Sequence, residues 1–173
     1  DPGESLLRRI DERGCTIAHN AARNGHTTVL QWIAANTDLG VGFLRQSHRN
    51  GFTIAHNAAR KGHVEVLEWI AQHQGLGPSL LQQATENGVT MAHTAAFHGC
   101  GRVLQWIAAN TDLGASFLRQ SYANGLTNVH AAASAGHTEV LEWIAQHAGL
   151  GPSFLRQAAA NGATIAHVAA AGG

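Results

Sequence analysis

Apolar and polar positions alternate in blocks along this chain, and the blocks return at a fixed interval. The stretch TIAHNAARNGHTTVLQWIA, Thr16 to Ala34, has counterparts starting at Thr53, Thr90, Thr127 and Thr164, so the interval is 37 residues. At 100° per residue, Ile17, Ala18, Ala21 and Ala22 fall on one arc and Asn20, Arg23 and Asn24 on another. That pattern predicts a short helix over about Thr16 to Asn24, with Thr16 capping its free amides and Gly25 closing it in a left-handed turn. A second helix, about Thr27 to Asn36, spreads Val29, Leu30, Trp32, Ile33 and Ala34 over roughly 200°. So wide an arc suits a helix flanked on both sides. Trp32, Trp69, Trp106 and Trp143 are therefore expected to lie buried between units, each covering about 150 to 250 Å².

The segment after the second helix, LGPSFLRQAAANG in the fourth unit, places Pro152 at a first helical position and Phe154, Leu155 and Ala158 on one face, which predicts a short third helix. The pairs Asn50 with Gly51, Asn87 with Gly88, Asn124 with Gly125 and Asn161 with Gly162 predict a tight turn that aims the next Thr at its helix. Recurrence at such a period is the signature of a solenoid, in which each unit buries its apolar face only against its neighbours. Residues 1–173 are thus expected to form a single elongated repeat domain, with units starting near Gly14, Gly51, Gly88, Gly125 and Gly162. Leu6 and Leu7 align with Phe43 and Leu44, and Gly173 aligns with Gly25, so the sequence reads as a fragment of a longer array. LQWIAANTDLG at Leu30 and Leu104 alternates with LEWIAQH at Leu67 and Leu141, which points to duplication of a pair of units.

Charge narrows the function classes. Eleven basic residues balance eleven acidic ones, which gives no footprint for general nucleic-acid binding or for adhesion to anionic membranes. No apolar run approaches the roughly 18 residues of a membrane span. Cys15 and Cys100 lie more than two units apart and are read as free thiols, which suits a reducing, cytoplasmic compartment.

Twelve histidines raise the question of a metal. His19, His56, His93, His130 and His167 recur once per unit, and packed helices lie about 8 to 10 Å apart, whereas two imidazoles on one zinc need their nitrogens about 3 to 3.5 Å apart. The expected role of each is to tie the Thr three residues before it to neighbouring backbone. No metal or other cofactor is expected. His26, His63 and His137 follow the helix-ending glycine and are read as loop-tying groups, a ladder broken at Cys100 with His98 beside it. Side chains two apart diverge and no orienting acid is near, so the Cys and His pair gives no catalytic assignment.

At these residues the chain resembles the ankyrin repeat, whose pattern reads G-x-T-P-L-H-x-A-A-x-x-G-H before a Val/Leu-rich helix. Gly51, Thr53, His56, Ala58, Ala59, Gly62, His63, Val66 and Leu67 match it position for position. The Pro of the pattern is replaced by Ile17, Ile54, Met91, Asn128 and Ile165. The resemblance implies an all-α solenoid of stacked helix-turn-helix units, and the longer unit adds a third helix or long loop in place of the projecting hairpin. It also implies a scaffold without catalysis of its own that binds another protein along the concave face of first helices and the loops between units. The alternative is a substrate-recruiting or targeting arm of a larger enzyme whose catalytic domain lies elsewhere.

The residues that vary on the face such proteins expose are the candidate partner-binding set: Asn20, Arg23 and Asn24, then Asn57, Arg60 and Lys61, then Thr94, Phe97 and His98, then Ser134, with Phe52 and Tyr122 in adjoining loops. This stripe passes from basic to aromatic to small. It calls for a protein partner with acidic and apolar side chains, since exposed aromatics and Arg are the usual anchors. End-to-end self-association through the ends of the array is a further expectation.

Overall fold

The computed structural model describes residues 6–48 and 50–172. The helices come in threes. The first unit contributes α1 (Ile17–Arg23), α2 (Thr27–Ala35) and α3 (Gly40–Leu44), and the second α4 (Ile54–Lys61), α5 (Val64–Gln72) and α6 (Gly77–Leu81). The third has α7 (Met91–Phe97), α8 (Gly101–Ala109) and α9 (Gly114–Leu118), and the fourth α10 (Asn128–Ser134), α11 (Thr138–Gln146) and α12 (Gly151–Leu155). Helix α13 (Ile165–Gly172) opens a fifth unit. The glycine read as closing that helix, Gly173, lies outside the described residues. The third helix expected from Pro152 and its counterparts is present in all four complete units.

Each first helix packs on the next, α1 on α4, α4 on α7, α7 on α10 and α10 on α13, while consecutive second helices touch far less. The cause is side-chain size. Ala18, Ala22, Ala55, Ala58, Ala59, Ala92, Ala95, Ala96 and Ala132 are all fully buried on the first helices, and methyl groups let backbones approach closely. The stack is therefore tighter on the first-helix side.

The second helices carry the bulkier apolar residues: Leu30 and Ile33, Val66, Leu67 and Ile70, Val103, Leu104 and Ile107 are fully buried. Val29 is 38% exposed where Val66 and Val103 are sealed, because no second helix precedes it among the described residues. The tryptophans correct the expectation made for them. Trp32 is 51% exposed, and Trp69, Trp106 and Trp143 are half-buried. The buried arc centres on Val66, Leu67 and Ile70, which puts Trp69 at its edge, so the indole lies along the rim, in edge contact with His73 at 5.2 Å. The core of the second-helix layer is filled instead by Leu, Ile and Val at the centre of the arc.

The turns also depart from expectation at one place. The third helix does not displace the hairpin everywhere, for β1 (Ser121–Tyr122) pairs antiparallel with β2 (Leu126–Thr127) through a turn in which Asn124 and Gly125 both have positive φ. On the opposite flank a row of side chains staples third helices to the following unit. Arg45 donates to the Gly75 carbonyl at 2.9 Å, Gln82 to Asp112 at 3.3 Å and Arg119 to Gly149 at 2.8 Å.

Candidate functional site

The start of each first helix is built around its histidine. Backbone amides at a helix start lack intrahelical partners, and here Thr and His satisfy them reciprocally. His56 Nδ1 accepts the Thr53 N–H at 3.2 Å and lies 3.0 Å from the Thr53 hydroxyl, which in turn receives the His56 N–H. The ring's other nitrogen, Nε2–H, donates to the Val89 carbonyl of the next unit at 3.0 Å. His19 does the same toward Phe52 at 3.2 Å, and His130 toward Ala163 at 3.2 Å. Only a neutral imidazole can accept from Thr and donate to the carbonyl together. Burial holds His19, His56 and His93 in that form, with pKa values pushed down to about 4. Both ring nitrogens of these histidines are occupied, which leaves them nothing to offer a metal.

The second ladder links the ends of the first helices. His63 Nε2 lies 3.1 Å from the Arg23 carbonyl and His137 Nε2 lies 3.2 Å from that of Phe97, forty residues back in each case. Gly25 and Gly99 sit under those rings with positive φ, and a Cβ on either would come within 2.6 Å of Nδ1. Cys100 fills the same place in the third unit, its Sγ 3.5 Å from the Arg60 carbonyl. Burial raises the Cys100 thiol above its usual range, which works against the thiolate a nucleophile requires. His98 points its Nδ1 back to the Thr94 carbonyl at 3.0 Å, so the two side chains serve separate backbone contacts.

Between α7 and α10, under the β1–β2 turn, the first-helix side opens into a cavity of about 180 Å³. Phe52, Val89, His93, Thr94, Phe97, His98, Tyr122 and Ala131 line it. Five of these, Phe52, Thr94, Phe97, His98 and Tyr122, belong to the set chosen from the sequence. Phe97 stands 50% exposed at its edge, continuous with the apolar lining, so that the two form one patch. Phe52 stacks on His48 with centroids 5.4 Å apart, and Tyr122 meets the edge of His93 at 4.7 Å, so two walls are held rigid by ring contacts. Most polar groups of the lining are spent internally: His93 on Thr90 and Gln120, Thr94 Oγ1 on the Thr90 carbonyl at 3.2 Å, and His98 Nδ1 on the Thr94 carbonyl. What faces the opening is almost wholly apolar.

The remaining candidates fall elsewhere. Arg60 and Lys61 are exposed at the end of α4, one unit before Phe97 and His98 in the same columns. Asn20 and Arg23 are half-buried and Asn24 exposed on α1, and Ser134 is half-buried on α10, bonded to the Ala131 carbonyl at 2.9 Å. Asn57 and Thr94 are not on the exposed stripe; they are 5% and 4% exposed because their column lies in the seam between adjacent first helices. Asn57 spends its amide on the Thr53 carbonyl there, at 3.4 Å. Val89 and His93 lie outside the expected binding set, whereas Ala131 belongs to the small end of the stripe read from the sequence. The signal available was the small Ala131 in the column of Asn57 and Thr94, a methyl group where the neighbouring units place larger side chains.

A family model described as ankyrin repeats (3 copies) matches residues 18–121. The chain belongs to the ankyrin repeat family. Ankyrin repeats generally serve as protein–protein interaction modules and are typically non-catalytic. A search of curated proteins finds no match. No helix among the described residues is long and apolar enough to cross a membrane.

Proposed function

We propose that this chain is one repeat domain that binds a partner protein along the first-helix side of the array, across units two to four and the loops between them, and catalyses nothing itself. The observation that carries the reading is Phe97, half in solvent at the mouth of an apolar cavity, with the cations Arg60 and Lys61 one unit away. Exposed aromatic and Arg side chains beside a preformed recess are the usual makings of an interaction hot spot. The tight alanine packing of the first helices supports the reading, because it presents these groups on a backbone that needs little ordering when a partner arrives.

The test is photo-cross-linking in cells, with a benzophenone side chain placed at position 97 and, in a second variant, at the exposed Gln105 on α8. Discrete protein adducts from position 97 that are absent from position 105, and lost when Arg23, Arg60 and a neighbouring aromatic, Phe52, are replaced by Ala, are the expected result. Equal adducts from both positions, or none from position 97, overturn the reading.

A further inference from the structure

Resting on that reading, we infer that the recess between α7 and α10 takes one aromatic or branched aliphatic side chain from an acidic peptide segment of the partner, whose carboxylates lie over Arg60 and Lys61. Size comes first. A dry apolar cavity of about 150 Å³ accommodates a benzene ring, so 180 Å³ suits one Phe, Leu or Trp side chain. Chemistry comes second. His93 and Thr94, on the inner wall, have their hydrogen-bonding groups engaged within the fold, so a polar guest seated against them would go unpaired at a cost, while an apolar one loses nothing.

Charge settles the flanks. Arg60 and Lys61 occupy the same columns as Phe97 and His98 one helix earlier, and packed helices stand about 8 to 10 Å apart, within reach of two or three residues of an extended peptide. Among the described residues neither cation is in an ion pair. Their positive field reaches the recess, since both act on His98. Glu65, the acid nearest to them in sequence, is held at 3.0 Å by His63. On the other side the fourth unit offers only Ser134 and Ala135, so the acidic flank of the segment has one direction in which to lie. The walls explain why the recess stays open: Val89 and Ala131 are small where Phe97 and Tyr122 are large.

The experiment is selection of a random twelve-residue peptide library on the chain, followed by fluorescence anisotropy of the enriched peptide. The expected consensus has one Phe, Trp or Leu with Asp or Glu to one side. Val89→Phe, which fills the recess from a half-exposed position, is expected to weaken binding more than about tenfold. Arg60→Glu with Lys61→Glu is expected to weaken it about fivefold and to flatten its salt dependence. Circular dichroism melting confirms that each variant is folded, and Phe97→Ser serves as the second recess variant should Val89→Phe melt early. A consensus without acids, binding indifferent to the recess variants, or no enrichment overturns the inference. If sedimentation shows instead a dimer of this chain that Val89→Phe dissolves, the recess belongs to a second copy and the inference likewise fails. Should adducts still form at position 97 while no such peptide is selected, the anchor is wrong and the interaction face stands.

Discussion

Two successive junctions of the array use the same parts to different ends. Between the second and third units, His56 reaches the Val89 carbonyl, 33 residues on, and the residue after the next capping Thr is the fully buried Met91. Between the third and fourth, His93 reaches Gln120, only 27 residues on, and the corresponding residue is Asn128. Asn128 is 1% exposed, donates to the Leu118 carbonyl at 2.7 Å, and leaves its own Oδ1 without a partner. It ties the first turn of α10 to the end of α9. The intervening chain closes as a small hairpin and Tyr122 becomes a wall of the recess. A polar substitution in an apolar column thus accompanies Phe97, Tyr122 and Ala131 at the junction that carries the candidate binding site, and its unsatisfied oxygen is a cost borne at that place.

Acid treats both junctions alike and has the largest expected effect. His19, His56 and His93 are neutral in the fold with pKa values of about 4, against about 6.5 when unfolded, so between these limits the unfolded chain binds more protons. Their contribution is complete above pH 6.5 and is lost progressively as pH drops toward 4, on the order of 1 kcal/mol per histidine per pH unit. Urea unfolding midpoints at pH 7 and pH 5 should differ strongly; equal midpoints would refute the neutral capping role.

Single substitutions then separate the junctions. His56→Ala should cost about 3 kcal/mol in chemical denaturation, from buried amides and a carbonyl left unpaired, and His93→Ala should additionally release Tyr122 and abolish binding at the recess. Asn128→Met removes an unsatisfied buried oxygen but also takes the donor from the buried Leu118 carbonyl, so stability should change by less than about 1 kcal/mol while the recess closes, seen as loss of the β1–β2 amide pairing by NMR. An Asn128→Met variant that keeps the hairpin would break the explanation given for it. The smallest effect concerns the staples. Gln82→Arg gives the plain junction the guanidinium that Arg119 supplies at the other, and about 0.5 kcal/mol of added stability is expected by thermal melting.

Much of the fold was legible in the sequence because a 37-residue period fixes helix, turn and cap together. Thr16, Gly25 and the Asn-Gly pairs announce their own backbone roles, and His19, His56, His93 and His130 lie as expected between their Thr and neighbouring backbone, while His167 meets only Thr164. The tryptophans were misplaced because a periodicity wheel gives the width of an arc but not which of its edges a neighbour covers. For the site, Phe97 and Tyr122 stood out as aromatics in variable positions. The burial of Asn57 and Thr94 depends on how closely alanine helices approach, a distance the sequence implies only through the neighbouring unit. Asn128 was visible as a departure from the repeat pattern, yet its bond to Leu118 spans ten residues of loop whose path no local rule supplies.

Among the described residues every lateral hydrogen bond joins a unit only to the next: histidine to loop, helix end to helix end, third helix to the turn beyond. Mechanically the molecule is a row of springs in series. Traction on its ends should peel units away in steps of equal length, and a ligand clasping the second to fourth units should stiffen that stretch alone, leaving the first free to rock.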